Sequence, residues 1–202
     1  MQNTEQRSTT FWGNPLHFRV SGDSDPEGET VVFLNAGALG GELQPFEAIF
    51  GRQVRTIGID LPGYASSGPV PPSYSPDYLA DAALVVLDEL GIQRATFVGA
   101  FWTASVAYRL AQKYPERVTR LAVGGLSATS SRSRLAWLEE CVAALDARHL
   151  TQFAAELEGV FVADDESEER DLAARVRERV ANLNDLERRR WECNAQRAIA
   201  YP

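Results

Sequence analysis

The stretch from Ala95 to Val118 joins two regular elements through a turn that holds the residues best placed for chemistry. Ala95-Thr96-Phe97-Val98 is a short apolar run closed by Gly99 and suits a buried parallel strand. Val106, Leu110 and Tyr114 then recur at helical spacing until the stop at Tyr114-Pro115. Such a turn lifts a side chain above the sheet and aims a helix N-terminus beneath it. A serine, cysteine or aspartate lifted in this way would attack an acyl or alkyl centre. The residues in the turn are Phe101 and Trp102, and a benzyl ring can only pack or stack. A bulky residue held at positive φ also carries strain of about 1–3 kcal/mol, so the turn is either relaxed or Phe101 is held deliberately.

Other reactive types are scattered. His17 falls on the polar alternation of Leu16-His17-Phe18-Arg19-Val20 and reads as a solvent-facing strand residue; His149, between two helical stretches, reads as a cap or surface residue. Cys141 and Cys193 lack metal-ligand spacing and suit a reducing compartment as small hydrophobes. Asn35, Ser105 and Ser127 are possible polar handles, although Ser105 lies inside the helix after the turn, a poor place for an aimed nucleophile.

The elements that must position these residues follow from periodicity. Leu16 to Val20 alternates as an antiparallel strand with one wet face, and Val31-Val32-Phe33-Leu34 is apolar throughout, as a central strand is. The latter runs into the small-residue loop Asn35-Ala36-Gly37-Ala38-Leu39-Gly40-Gly41. Ile57-Gly58-Ile59 leads into Asp60-Leu61-Pro62-Gly63, where Pro62 and Gly63 turn the chain and Asp60 can accept backbone N–H bonds. Ser75-Pro76-Asp77 opens a helix whose Leu79, Ala82, Ala83, Val86, Leu87 and Leu90 share a face, ending at Gly91. Arg120 to Leu126 reads as another buried strand. From Leu135 the apolar spacing is helical, through Leu138, Val142 and Leu145, then Phe153 and Leu157, then Leu172, Val176, Val180 and Leu183, with Asp164 to Arg170 as an acidic linker.

Composition limits the function classes. The 202 residues are 45% hydrophobic and carry a net charge of -8, which leaves no basic face for nucleic acid or an anionic membrane. No apolar run reaches the length of a membrane span, and the N-terminus lacks signal-peptide character, so a cytoplasmic protein is expected. Nothing implies a metal or a cofactor.

Three segments together resemble the α/β-hydrolase superfamily. Gly99-Ala100-Phe101-Trp102-Thr103 is similar to the G-x-S-x-G nucleophile elbow, with Phe101 in the serine's place and Thr103 in that of the last glycine. Asn35-Ala36-Gly37 stands where the family offers an oxyanion-binding N–H, and Asp60 to Gly68 resembles its D-x-P-G-x-G-x-S turn. The resemblance implies an α/β fold with a mostly parallel sheet, truncated after the sixth strand. Residues 1–130 would form its core and residues 131–202 a helical lid. It also implies an acid and a histidine from later loops that this chain is expected to lack; no Asp or Glu lies between Arg117 and Arg134, where some members place the acid.

The expectation is therefore a protein with no catalytic residues of the family type. It would bind a small apolar or carbonyl-bearing ligand with Asn35, Ala36, Gly37, Phe101 and Trp102, or serve as an assembly subunit. Its last strand would be a bare edge covered by lid helices, a second copy or a partner chain. The alternative is a hydrolase of small esters, lactones or related acyl substrates with a non-standard or partner-completed site.

Overall fold

The computed structural model describes residues 4–22, 28–35, 44–125, 132–158 and 166–201. Two compact units emerge, one of residues 1–70 and 74–128, the other of residues 71–73 and 129–202.

The first unit is a six-stranded sheet. Its strands are β1 (Glu5–Phe11), β2 (Asn14–Ser21), β3 (Thr30–Asn35), β4 (Arg55–Asp60), β5 (Ala95–Ala100) and β6 (Val118–Gly124), in the order β1-β2-β4-β3-β5-β6. β1 and β2 pair antiparallel, as do β2 and β4, whereas β4, β3, β5 and β6 run parallel. Helix α1 (Gln44–Phe50) connects β3 to β4, α2 (Pro76–Glu89) connects β4 to β5, and α3 (Trp102–Lys113) connects β5 to β6. Parallel neighbours need such crossovers because a tight hairpin cannot reverse the chain twice.

β1 has no counterpart in the sequence reading, because its residues EQRSTTF carry almost no apolar alternation. The hairpin to β2 holds it. Trp12 and Gly13 form a two-residue loop with φ of 49° and 78°, the double left-handed geometry that matches strand twist. The indole of Trp12 packs edge-on to Tyr78, with ring centroids 5.3 Å apart.

Most of the core lies where α2 and α3 cover the sheet. Leu16, Phe18, Val32, Leu34, Ile57, Ile59 and Phe97 meet Leu79, Ala83, Val86, Leu87, Val106 and Leu110, all buried. Each Val, Leu, Ile or Phe among them contributes about 1.5–3 kcal/mol relative to exposure, so this layer dominates stability. Between α2 and α3, Arg109 grips Asp77 through Nε and Nη2 at 2.8 and 3.0 Å, and Lys113 Nζ donates to both Asp81 oxygens.

β6 corrects one expectation. It is a strand, but not a buried one: Thr119, Arg120, Ala122, Val123 and Gly124 are exposed. Among the described residues it pairs only with β5 and is the edge strand of the sheet, so its apolar residues are not buried.

The second unit contains α4 (Arg132–Asp146), α5 (Leu150–Glu158), α6 (Glu166–Ala181) and α7 (Asp185–Ala200). Phe153, Leu157, Leu138, Leu145, Val176 and Val180 are buried in it. Asn184 caps α7 in a reciprocal capping box with Glu187, which satisfies two otherwise orphaned N–H groups. The acidic stretch read as a linker is helical from Glu166, since Glu and Arg are good helix formers. Arg197, fully buried, donates to the Pro71 carbonyl at 3.0 Å, and Tyr201 Oη to that of Ser73 at 2.9 Å. No helix among the described residues is long and apolar enough to cross a membrane.

Candidate functional site

The turn after β5 is sharp. Phe101 has φ 52° and ψ −115°, a conformation that L-residues rarely adopt, so the position is held rather than relaxed. Its N–H donates to the Gly124 carbonyl at 2.8 Å, which ties the turn to the end of β6. Gly99 is required here by close approach, because a Cβ there would collide with the Thr103 carbonyl as α3 begins. Thr103, buried, closes the turn from the other side: its Oγ1 accepts from the Ala100 N–H at 2.9 Å and donates to the Ala100 carbonyl at 3.0 Å.

The side chain so presented is a phenyl ring, 78% exposed. It stands beside Gly125, where a Cβ would come within 3.2 Å of its Cδ1. Trp102 is half-buried against the core, and its Nε1 is buried without a partner. Ser105 Oγ donates to the Trp102 carbonyl at 2.7 Å, the back-bonding expected inside a helix, and is not presented for attack.

Asn35 closes β3. It is 2% exposed; its Nδ2 donates to Glu47 Oε1 at 2.7 Å, and its Oδ1 has no partner. Ala36, Gly37 and Ser127 lie outside the described residues.

Around Asn35 the structure assembles a network that sequence reasoning missed. Arg19 donates through Nε and Nη2 to the two Glu47 oxygens at 3.1 and 3.2 Å, and through Nη1 to Asp60 Oδ1 at 2.9 Å. Asp60 Oδ2 accepts the Ser66 N–H at 3.3 Å, so the turn role expected of Asp60 is one part of what it does. Burial alone would lower the Arg19 pKa, but the bonds to Glu47 and the charge of Asp60 outweigh it and raise it. The strand face carrying Arg19 is therefore not wet as the alternation implied; a guanidinium flanked by two carboxylates is a satisfied interior group. A lone carboxylate inside the apolar run Phe46-Glu47-Ala48-Ile49-Phe50 was the available signal.

His17 is half-buried on β2, and its backbone N–H donates to Ser67 Oγ at 3.0 Å. His149 is exposed; its N–H donates to the Ala144 carbonyl and its own carbonyl accepts from Phe153, which places it in the α4–α5 connection. Among the described residues no group of His, Cys, Asp or Glu is placed to hold a metal ion.

A family model described as the alpha/beta hydrolase fold matches residues 29–201. The chain belongs to the α/β-hydrolase fold family. Over 122 residues it is 31% identical to a putative carbamate hydrolase RutD of Pantoea ananatis (strain LMG 20103), covering 59% of this chain and 44% of that protein. It is 30% identical over 115 residues to a 2-hydroxy-6-oxononadienedioate/2-hydroxy-6-oxononatrienedioate hydrolase of Pseudomonas sp, covering 54% and 40%. The chain thus spans less than half the length of these curated relatives. Among solved folds, an α/β hydrolase enzyme from a Medee basin deep-sea metagenome library superposes with a TM-score of 0.81 at 18% identity, over 96% of this chain and 70% of that one. The enol-lactonase of Burkholderia xenovorans LB400 gives 0.78 at 21%, over 96% and 74%.

Proposed function

We propose that the chain binds a small, carbonyl-bearing ligand at the C-terminal end of β3 and β5 and forms no covalent bond to it. The observation that carries this reading is Phe101 itself. The turn keeps the strained geometry that lifts one side chain above the sheet, but the side chain lifted is an exposed aromatic ring with no group to ionise or attack. Phe101 and Trp102 give an aromatic wall, Asn35 a polar one, and we add Ala36 and Gly37 as its small-residue rim. The helices of residues 131–202 stand in the chain where the resemblance puts the lid, and we assign them that role. On composition we place the protein in the cytoplasm.

The test is calorimetric titration with aromatic esters, lactones and amides, alongside intact-mass analysis after exposure to activated esters and a fluorophosphonate. Reversible binding without an adduct or turnover is expected. A stoichiometric acyl or phosphonyl adduct on any residue of the first unit sinks the reading in favour of the hydrolytic one, to which the names of the relatives point.

A second reading, an assembly subunit, is favoured by a separate observation. Phe46, Ile49 and Phe50 form an exposed apolar stripe on α1, and Val123 is exposed on the edge strand β6. Light scattering that finds only monomer across the micromolar range removes this reading.

A further inference from the structure

The tip of the β1–β2 hairpin is built against the preferences of its own turn. A two-residue loop with positive φ at both positions favours Asn-Gly or Asp-Gly. Gly13 meets that need at φ 78° without strain, whereas Trp12 holds a bulky side chain at φ 49°. Burial does not compensate, because Trp12 is 72% exposed. An aromatic residue that is both strained and wet lowers the stability of the fold, and such residues cluster where a surface binds something.

The neighbours of Trp12 give that surface its shape. The indole stands at 75° to the Tyr78 ring with centroids 5.3 Å apart, and at 78° to the Tyr74 ring with centroids 6.3 Å apart. Tyr74 lies 4.3 Å from Tyr78, which lies 4.7 Å from Phe11. Phe11 and Tyr78 are buried, so the exposed Trp12 and the half-buried Tyr74 rest on a fixed base. Two rings set nearly perpendicular make a corner with an aromatic wall on each side. The indole Nε1–H of Trp12, a donor only, has no acceptor among the described residues.

An aromatic corner with one free donor suits a ligand that offers apolar C–H faces and an unsatisfied carbonyl. A polyproline II segment has both: its pyrrolidine rings pack on electron-rich aromatic faces, its carbonyls have no internal partner, and its preformed backbone loses little entropy on docking. An oligosaccharide also has C–H faces, but its hydroxyls need polar side chains at the rim, and those of the hairpin tip and the start of α2 are engaged. Asn14 Nδ2 donates to the Trp12 carbonyl and to Tyr78 Oη, and Asp77 is held by Arg109. We infer that the corner of Trp12 and Tyr74 is a docking surface for a proline-rich segment of a partner protein, with a proline ring against the two aromatic walls and the Trp12 Nε1–H donating to a carbonyl of that segment. The surface uses no residue of the ligand site proposed above and is independent of it.

The test is titration of the nitrogen-15-labelled protein with octaproline, with a glycine–serine octamer and with cellohexaose. The chain has four tryptophans, so the Trp12 Nε1–H resonance is the indole signal missing from the spectrum of Trp12→Phe. Octaproline should shift this resonance and leave the other indole signals in place; the glycine–serine octamer should shift none. Trp12→Asn should weaken octaproline binding about thirtyfold, as removal of an anchoring tryptophan does. The same variant should raise the midpoint of urea unfolding, since asparagine suits the turn better, so binding and stability move in opposite directions. Trp12→Phe, which keeps a ring and loses the donor, should bind with intermediate affinity, and it decides the matter should Trp12→Asn not fold. No response to octaproline at millimolar concentration, an equal response to the glycine–serine octamer, or undiminished binding by the Trp12 variants overturns the inference. So does a Trp12 shift produced by cellohexaose and not by octaproline, which would make the corner a sugar site.

Discussion

The carboxylate of Glu47 occupies the volume into which a side chain on Gly58 would grow: a Cβ built there collides with all three carboxylate atoms. Gly58 sits opposite Arg19 in the β2–β4 pairing, so the glycine admits the carboxylate to the sheet at the point where the guanidinium waits for it. Gly58→Ala should push Glu47 away from Arg19 and Asn35 and destabilise the protein by about 3 kcal/mol, the lower end of what uncoupling a buried ion pair costs. A urea titration would show this as a lower midpoint with an unchanged slope. A loss below about 1 kcal/mol would mean that the network relaxes freely.

Phe101 should be a liability to stability. Its ring is exposed and its φ is positive, so replacing it with glycine removes strain while giving up little buried area. Glycine's extra freedom in the unfolded chain opposes this by roughly 0.5–1 kcal/mol. The net expectation for Phe101→Gly is a gain of about 1 kcal/mol in chemical denaturation, with Phe101→Val moving the other way. If the glycine variant is the less stable of the two, the ring is contributing packing that its exposure hides.

The two units should respond to acid in opposite directions. The Arg109 guanidinium bonded to Asp77 holds that carboxyl below its usual pKa, so the stability it lends to the α2–α3 contact is present above the unfolded value and lost as pH falls through the folded one. Glu192 is the reverse case: burial and the neighbouring Asp146 raise its pKa, against the pull of Arg188 and Arg189. Its contribution is complete below the unfolded value and is lost as pH rises through the folded one. Amide exchange compared at matched intrinsic rates should therefore show α2 and α3 loosening toward pH 3, and α4 and α7 loosening from pH 4 toward neutrality. Both side chains are partly exposed, so both effects should shrink in high salt. Glu192→Gln should abolish the second trend alone.

The two cysteines should differ as probes. Burial, with Glu156 and Glu140 nearby, pushes the Cys141 thiol up to about 12, and its side chain is inside α4's packing face. At pH 8 iodoacetamide should label Cys193 first and reach Cys141 only at the rate at which the helices open. Equal labelling rates in the folded protein would contradict the packing of Cys141.

The sequence by itself determined the α/β class, the central β3 strand, the extents of α2 and α3 and the turn at Phe101. These rest on local information: apolar period, a proline or glycine at the boundary, and the identity of one residue in a motif. It did not determine β1, whose seven residues become a strand because β2 offers a backbone to pair with and Trp12-Gly13 adopt the necessary turn. The apolar residues of β6 read locally as a buried strand, and its place at the sheet edge leaves them exposed: burial depends on what covers a strand, and β3 has neighbours on both sides while β6 pairs with β5 alone among the described residues. The polar end of the candidate site was the least legible part. Arg19, Asn35, Glu47, Gly58 and Asp60 come from four different elements, and each alone reads as a surface charge, a loop residue or a turn former. Only the pairing of β2, β3 and β4 brings them within hydrogen-bonding distance, and only there, away from water, does a carboxylate decide which way a neighbouring amide must point.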